Sequence, residues 1–135
     1  MHHESCYIDA LDDHKIHVNI WKKTKAIKKP RAILHINHGM AEHGARYAVI
    51  AERFVQQGYV VYAHDHRGHG KSVQNAELLG HYADTDGWEK IVSDVLQVNQ
   101  SIHESYPNAP VIILGHSMGS FIVQSYLVSH GETVA

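Results

Sequence analysis

Apolar and polar residues alternate from His14 to Trp21, with Ile16, Val18 and Ile20 on one face and His17 and Asn19 on the other. That two-residue period predicts a strand. Tyr7 to Leu11 is a weaker strand candidate ahead of it, and Asp12-Asp13 supplies the turn between them. Ala32 to Ile36 is a short apolar run entered from Pro30, and it ends at His38-Gly39-Met40. From Arg46 the period lengthens. Tyr47, Ile50, Ala51, Phe54 and Val55 fall on one side of an amphipathic helix, which Gly58 is placed to end. Tyr59 to Ala63 is apolar throughout, as a strand buried on both faces requires. Trp88, Ile91, Val92, Val95 and Ile102 mark a second helix, with Asp84, Thr85 or Asp86 available as its N-cap and Pro107 and Pro110 to stop it. Val111 to Leu114 reads as another buried strand, and Ser117 to about Ser129 as a third helix ended by Gly131.

The predicted order is strand, strand, strand, helix, strand, helix, strand, helix. Helical crossovers make the strands they join parallel, so the expected class is α/β: a mostly parallel sheet with helices on both faces. Ligands of such sheets bind where strands end and helices begin. The segments His38-Gly39-Met40, His64 to Ser72 and Gly115 to Gly119 all lie at such ends.

A chain of 135 residues forms one domain with a real core, spanning 1–135. The formal net charge of −2 gives no global reason to expect a nucleic-acid partner. One stretch is basic, with Lys22, Lys23, Lys25, Lys28, Lys29 and Arg31 close together; it reads as a solvated loop, with peripheral membrane contact as the other reading. Cys6 is the single cysteine, which excludes an internal disulfide and fits a reducing compartment. The polar start MHHESCYIDALDD lacks the apolar core of a secretory signal, and no segment reaches the roughly 18 apolar residues of a membrane span. A cytoplasmic location is therefore expected. Histidine stands out, at 14 residues, of which only His2 and His3 are terminal.

Gly115-His116-Ser117-Met118-Gly119 fits G-x-S-x-G and lies between an apolar run and a helical pattern, the strand–turn–helix setting that a nucleophile elbow requires. Small flanking residues let the backbones approach in so sharp a turn, and Gly115 and Gly119 provide them. The turn lifts the Ser117 hydroxyl to a helix N-terminus, where backbone N–H groups favour a developing oxyanion. Acyl transfer needs a second donor, and His38-Gly39-Met40 ends the strand where one is required. Met40 N–H and Met118 N–H are the expected pair. The three blocks HGMAEHGARY (His38 to Tyr47), HDHRGHGKS (His64 to Ser72) and LGHSMGS (Leu114 to Ser120) together resemble the monoglyceride lipase and lysophospholipase group of the α/β-hydrolases, in order and over nearly the whole chain. The resemblance implies an α/β-hydrolase fold and a cofactor-free serine esterase. Its substrate would be a monoacylglycerol, a lysophospholipid or a small ester. It assigns Ser117 as nucleophile, Met40 and Met118 as oxyanion donors, and His38 and Gly39 as structural residues beside them. Ser120 stands where these enzymes often carry a further glycine.

In this fold the serine is followed along the chain by an acid and then a histidine. Met118 to Ala135 contain His130 and Glu132, in the wrong order and with no aspartate. His130 also lies roughly 20 Å down the predicted helix, whereas a general base must come within about 3 Å. The expectation is an N-terminal part of one hydrolase domain, inactive alone, whose last strand offers an unpaired edge for self-association. Two other readings start from different residues. His64, His66 and His69 approach the H-x-H-x-D-H pattern of zinc hydrolases, but Gly68 stands where that pattern needs aspartate. Gly70-Lys71-Ser72 ends like a phosphate-binding loop, but Asp65 stands where the pattern needs glycine. A non-catalytic binding protein on the same scaffold is the remaining alternative.

Overall fold

The computed structural model describes residues 1–135. β1 (His2–Asp9) and β2 (Lys15–Lys22) form the antiparallel hairpin that the Asp12-Asp13 turn predicts, with His2 opposite Lys22 and Asp9 opposite Lys15. Asp13 takes the turn at φ 64°, a left-handed conformation that aspartate tolerates. β1 begins at His2 rather than Tyr7. It is an outer strand exposed along most of its length, so it carries no hydrophobic alternation to read.

The five strands lie in the order β1-β2-β4-β3-β5, with β3 at Ile33–Asn37, β4 at Val60–His64 and β5 at Val111–Gly115. β3 pairs parallel with both β4 and β5, whereas β1–β2 and β2–β4 are antiparallel. The sheet is thus mixed, and its parallel half holds the strands that helices connect. α1 (Ala48–Gln56) joins β3 to β4, and α2 (Gly87–Ser105) joins β4 to β5. α1 follows a short 3-10 turn, Gly44–Tyr47, and ends at Gly58, whose φ of 89° lets its N–H reach Val55 O.

Helices cover both faces. Ala51 and Val55 of α1 pack on Trp21, Leu34, Ile36, Val61 and Ala63. On the other face Val98 and Ile102 of α2 pack on Ile16, Val18, Ile33 and Val60. Ile91 and Val95 of α2 then meet Met118, Ile122 and Tyr126 of α3 (Met118–His130). Burying each such side chain stabilises the fold by about 1.5–3 kcal/mol.

Three local expectations change. Val111 to Leu114 is not buried throughout: β5 is the outer strand on this side, and Ile112 is 41% exposed. Asp86 occupies the N-cap position of α2 but makes no side-chain capping bond, because its backbone is left-handed (φ 52°, ψ 39°) where a capping residue needs an extended one. Lys22 is no part of a solvated loop. It closes β2, is buried, and pairs with Glu4 at 2.6 Å, while the other basic residues of that stretch are exposed. No helix is long and apolar enough to cross a membrane.

Candidate active site

Ser117 sits between the end of β5 and the start of α3 with φ 54° and ψ −120°. A non-glycine residue held there costs on the order of 1–3 kcal/mol, so its surroundings must enforce it. His116 N–H donates to Asn37 O at 3.0 Å and Gly119 N–H to His116 O at 2.9 Å. Ser120 donates twice to Ser117 O, from its amide at 2.9 Å and its hydroxyl at 2.6 Å. The serine at 120 thus adds a bond that a glycine could not. Packing fixes the turn further. A Cβ on Gly119 would lie 2.1 Å from Asn37 O, and one on Gly115 would lie 2.6 Å from Gly119 O. Ser117 itself is exposed, and its side chain makes no capping bond, which leaves the hydroxyl free above the first turn of α3.

His38-Gly39-Met40 forms the facing wall. A Cβ on Gly39 would stand 3.1 Å from Ser117 Cβ and 3.3 Å from His116 O, so the two segments touch where Gly39 has no side chain. Ala41, at φ 60°, turns the chain back after Met40. The Met40 and Met118 amides donate to no carbonyl of the turns, loops and caps. His38 is buried; its Nδ1–H donates to Gly39 O at 2.6 Å and its Nε2 accepts from His66 N–H at 3.0 Å. Burial lowers its pKa against the pull of Gly39 O. It is therefore a neutral brace for the Gly39 segment, and both ring nitrogens are occupied.

Sequence reasoning passed over Glu42. Its Oε1 accepts Gly39 N–H at 2.7 Å and the Tyr47 hydroxyl, and lies 3.5 Å from His116 Nδ1. Burial pushes this carboxyl up, but the bonds from Tyr47 and Gly39 and the nearby His116 outweigh it and hold the group below its ordinary value. The only signal in the sequence is a polar residue three positions after a glycine turn.

The His64 to Ser72 loop builds the floor. Asp65 accepts Gly44 N–H at 2.7 Å and Lys71 N–H at 2.9 Å, and Ser72 Oγ bridges Asp65 O and His17 N–H. Arg67 is buried and uses its guanidinium on Asp94 (2.7 and 2.8 Å) and Asp12 (2.9 Å twice), tying the loop to α2 and to the β1–β2 turn. His64 and His66 are buried against other histidines, His64 through its Nδ1 on His35 Nε2 at 3.0 Å and His66 on His38 (ring centroids 4.4 Å). His69 packs on His38 with centroids 5.3 Å apart. No three His, Cys, Asp or Glu side chains, His64, His66 and His69 included, are grouped so as to hold a metal ion. His130 lies against Tyr126 in the last turn of α3, with ring centroids 5.3 Å apart, at the opposite end from Ser117.

The family model described as "Serine aminopeptidase, S33" matches residues 28–135. The chain belongs to this family. It is 39% identical over 112 residues to a monoglyceride lipase homolog of Monkeypox virus, covering 83% of this chain and 37% of that protein. It is 37% identical over 102 residues to human monoglyceride lipase, covering 76% of this chain and 31% of that protein. The chain thus spans about a third of the length of these relatives. A carboxyl esterase from Bacillus coagulans, solved in complex with glycerol, superposes with a TM-score of 0.86 at 30% identity, over 99% of this chain and 42% of that one. The chain is accordingly of the monoglyceride lipase-like group of α/β-hydrolases, a family of lipases and esterases.

Proposed function

We propose that the chain carries the nucleophile and oxyanion side of a carboxylic-ester hydrolase, with Ser117 as nucleophile and the Met40 and Met118 amides as oxyanion donors. The observation that carries this reading is the Ser117 backbone, held at φ 54° and ψ −120° between β5 and α3 with Gly39 against its Cβ. Ser117 Oγ attacks the ester carbonyl carbon, and the carbonyl oxygen takes up negative charge beside the two N–H groups. The alcohol leaves with a proton, and water then releases the acid from the acyl-serine. The chemistry needs no metal or organic cofactor. The relatives named monoglyceride lipase support a monoacylglycerol, lysolipid or small ester as substrate. A single exposed, unpaired Cys6 is compatible with a reducing cytoplasm.

The serine's proton needs an acceptor. His38 is braced on both nitrogens and His130 sits at the far end of α3, so neither takes that proton, and we expect no ester turnover from residues 1–135 alone. The test joins residues 1–135 to the part of human monoglyceride lipase that continues beyond the matched segment, and measures monoacylglycerol hydrolysis. We expect turnover that Ser117→Ala abolishes, and slow, substoichiometric fluorophosphonate labelling of the unjoined chain. A folded chimaera without turnover, or turnover that survives Ser117→Ala, refutes the assignment.

A further inference from the structure

Glu42 is a carboxylate set between the two halves of the proposed site. Its side chain is 11% exposed, with Oε1 on Gly39 N–H, on the Tyr47 hydroxyl and toward His116 Nδ1, and with Oε2 3.7 Å from Arg46 Nη1. A negative charge this close to a developing oxyanion would oppose it unless donors absorb that charge, and here donors surround the group from the turn, from the entry to α1 and from the elbow. The arrangement also divides the amides of the turn. Gly39 N–H is spent on Glu42, so the Met40 amide is left for a ligand.

We propose that Glu42 is a positioning residue: by bonding Gly39 N–H and facing His116, it sets the spacing between the Met40 amide and Ser117. Its purpose rests on the ester-hydrolase reading; its contacts do not. The left-handed Ala41 would relax if the turn were released, and the Glu42 carboxylate is what closes that turn on itself.

The test uses the full 135-residue chain, labelled with nitrogen-15, as wild type, Glu42→Ala and Glu42→Gln. Glu42→Ala is expected to speed amide hydrogen exchange at least tenfold at Gly39 and to move the Met40 amide and His116 ring signals, with Leu34 and Ile36 of β3 unchanged. Glu42→Gln, whose amide oxygen can accept the same bond, restores slow exchange. Unchanged exchange in Glu42→Ala, equal acceleration in β3, or no rescue by Glu42→Gln overturns the proposal. Should Glu42→Ala not fold, Glu42→Gln alone decides: the Gly39 amide proton moves upfield as its acceptor loses charge, and an unmoved signal overturns the proposal. None of these readouts needs ester turnover, so an inert chimaera counts against the hydrolase reading and not against Glu42's hold on the turn.

Discussion

Acid should unfold this chain steeply, and the cause is the set of histidines built into its interior. Burial takes His35 down to about 3. Burial first, and neighbouring histidines next, hold His64 and His66 well below the ordinary range. These three rings are neutral in the folded protein and gain protons in the unfolded chain below about pH 6.5. The unfolded state therefore binds more protons. Stability is full above about pH 6.5 and falls as pH drops toward the folded-state values. His35 alone removes about 1 kcal/mol at pH 6 and about 2 kcal/mol at pH 5, and His64 and His66 act in the same direction. A typical domain has about 5–15 kcal/mol in all. Asp12, which hydrogen bonds from Arg67 hold down to about 2, adds no slope in this window. Urea unfolding followed by the fluorescence of Trp21, buried under α1, measures the effect at pH 7, 6 and 5. His35→Gln should flatten the slope by about one proton's worth, or about 1.4 kcal/mol per pH unit. A stability that changes by less than about 1 kcal/mol between pH 7 and pH 5 would refute the reasoning.

Gly119→Ala should cost about 3 kcal/mol or more in urea unfolding, since the added methyl meets Asn37 O at 2.1 Å and neither backbone can retreat from the elbow. Arg67→Ala strands the buried Asp94 carboxylate and should cost about 3–5 kcal/mol by the same measurement. The unpaired outer side of β5, with Ile112 exposed on it, should make the chain self-associate in light scattering at high concentration, and Ile112→Lys should return it to a monomer.

The elements were legible where hydrophobicity carries them. The apolar runs into β3, β4 and β5 and the helical spacing of Tyr47 to Val55 announce strands and helices because each buries an apolar face. The tight turn at Ser117 was legible because glycines on both sides of a serine, between a strand and a helix, answer a steric demand that few other contexts make. What stayed hidden depends on distant polar partners. His35 and His64 are core residues that no hydropathy pattern marks, although the excess of histidine hinted at a special role. Arg67 finds Asp12 and Asp94 across separations of 55 and 27 residues, which no local window sees. Glu42 reads as a surface glutamate until the fold brings Gly39, Tyr47 and His116 around it.

β5 has a single strand neighbour, and that governs how the reactive turn keeps its shape. Only β3 grips the segment leading into Ser117; on the far side one main-chain bond, from Ala135 N–H to Val111 O at 2.8 Å, is made. β5 is thus held to the sheet from one side, and α3 beyond it is held by α2 through Ile91 and Val95. An opening of the β3–β5 seam would take Gly119 off Asn37 and His38 and release the left-handed backbone at Ser117. Covering the outer rim of β5 would therefore also stiffen the turn that carries Ser117.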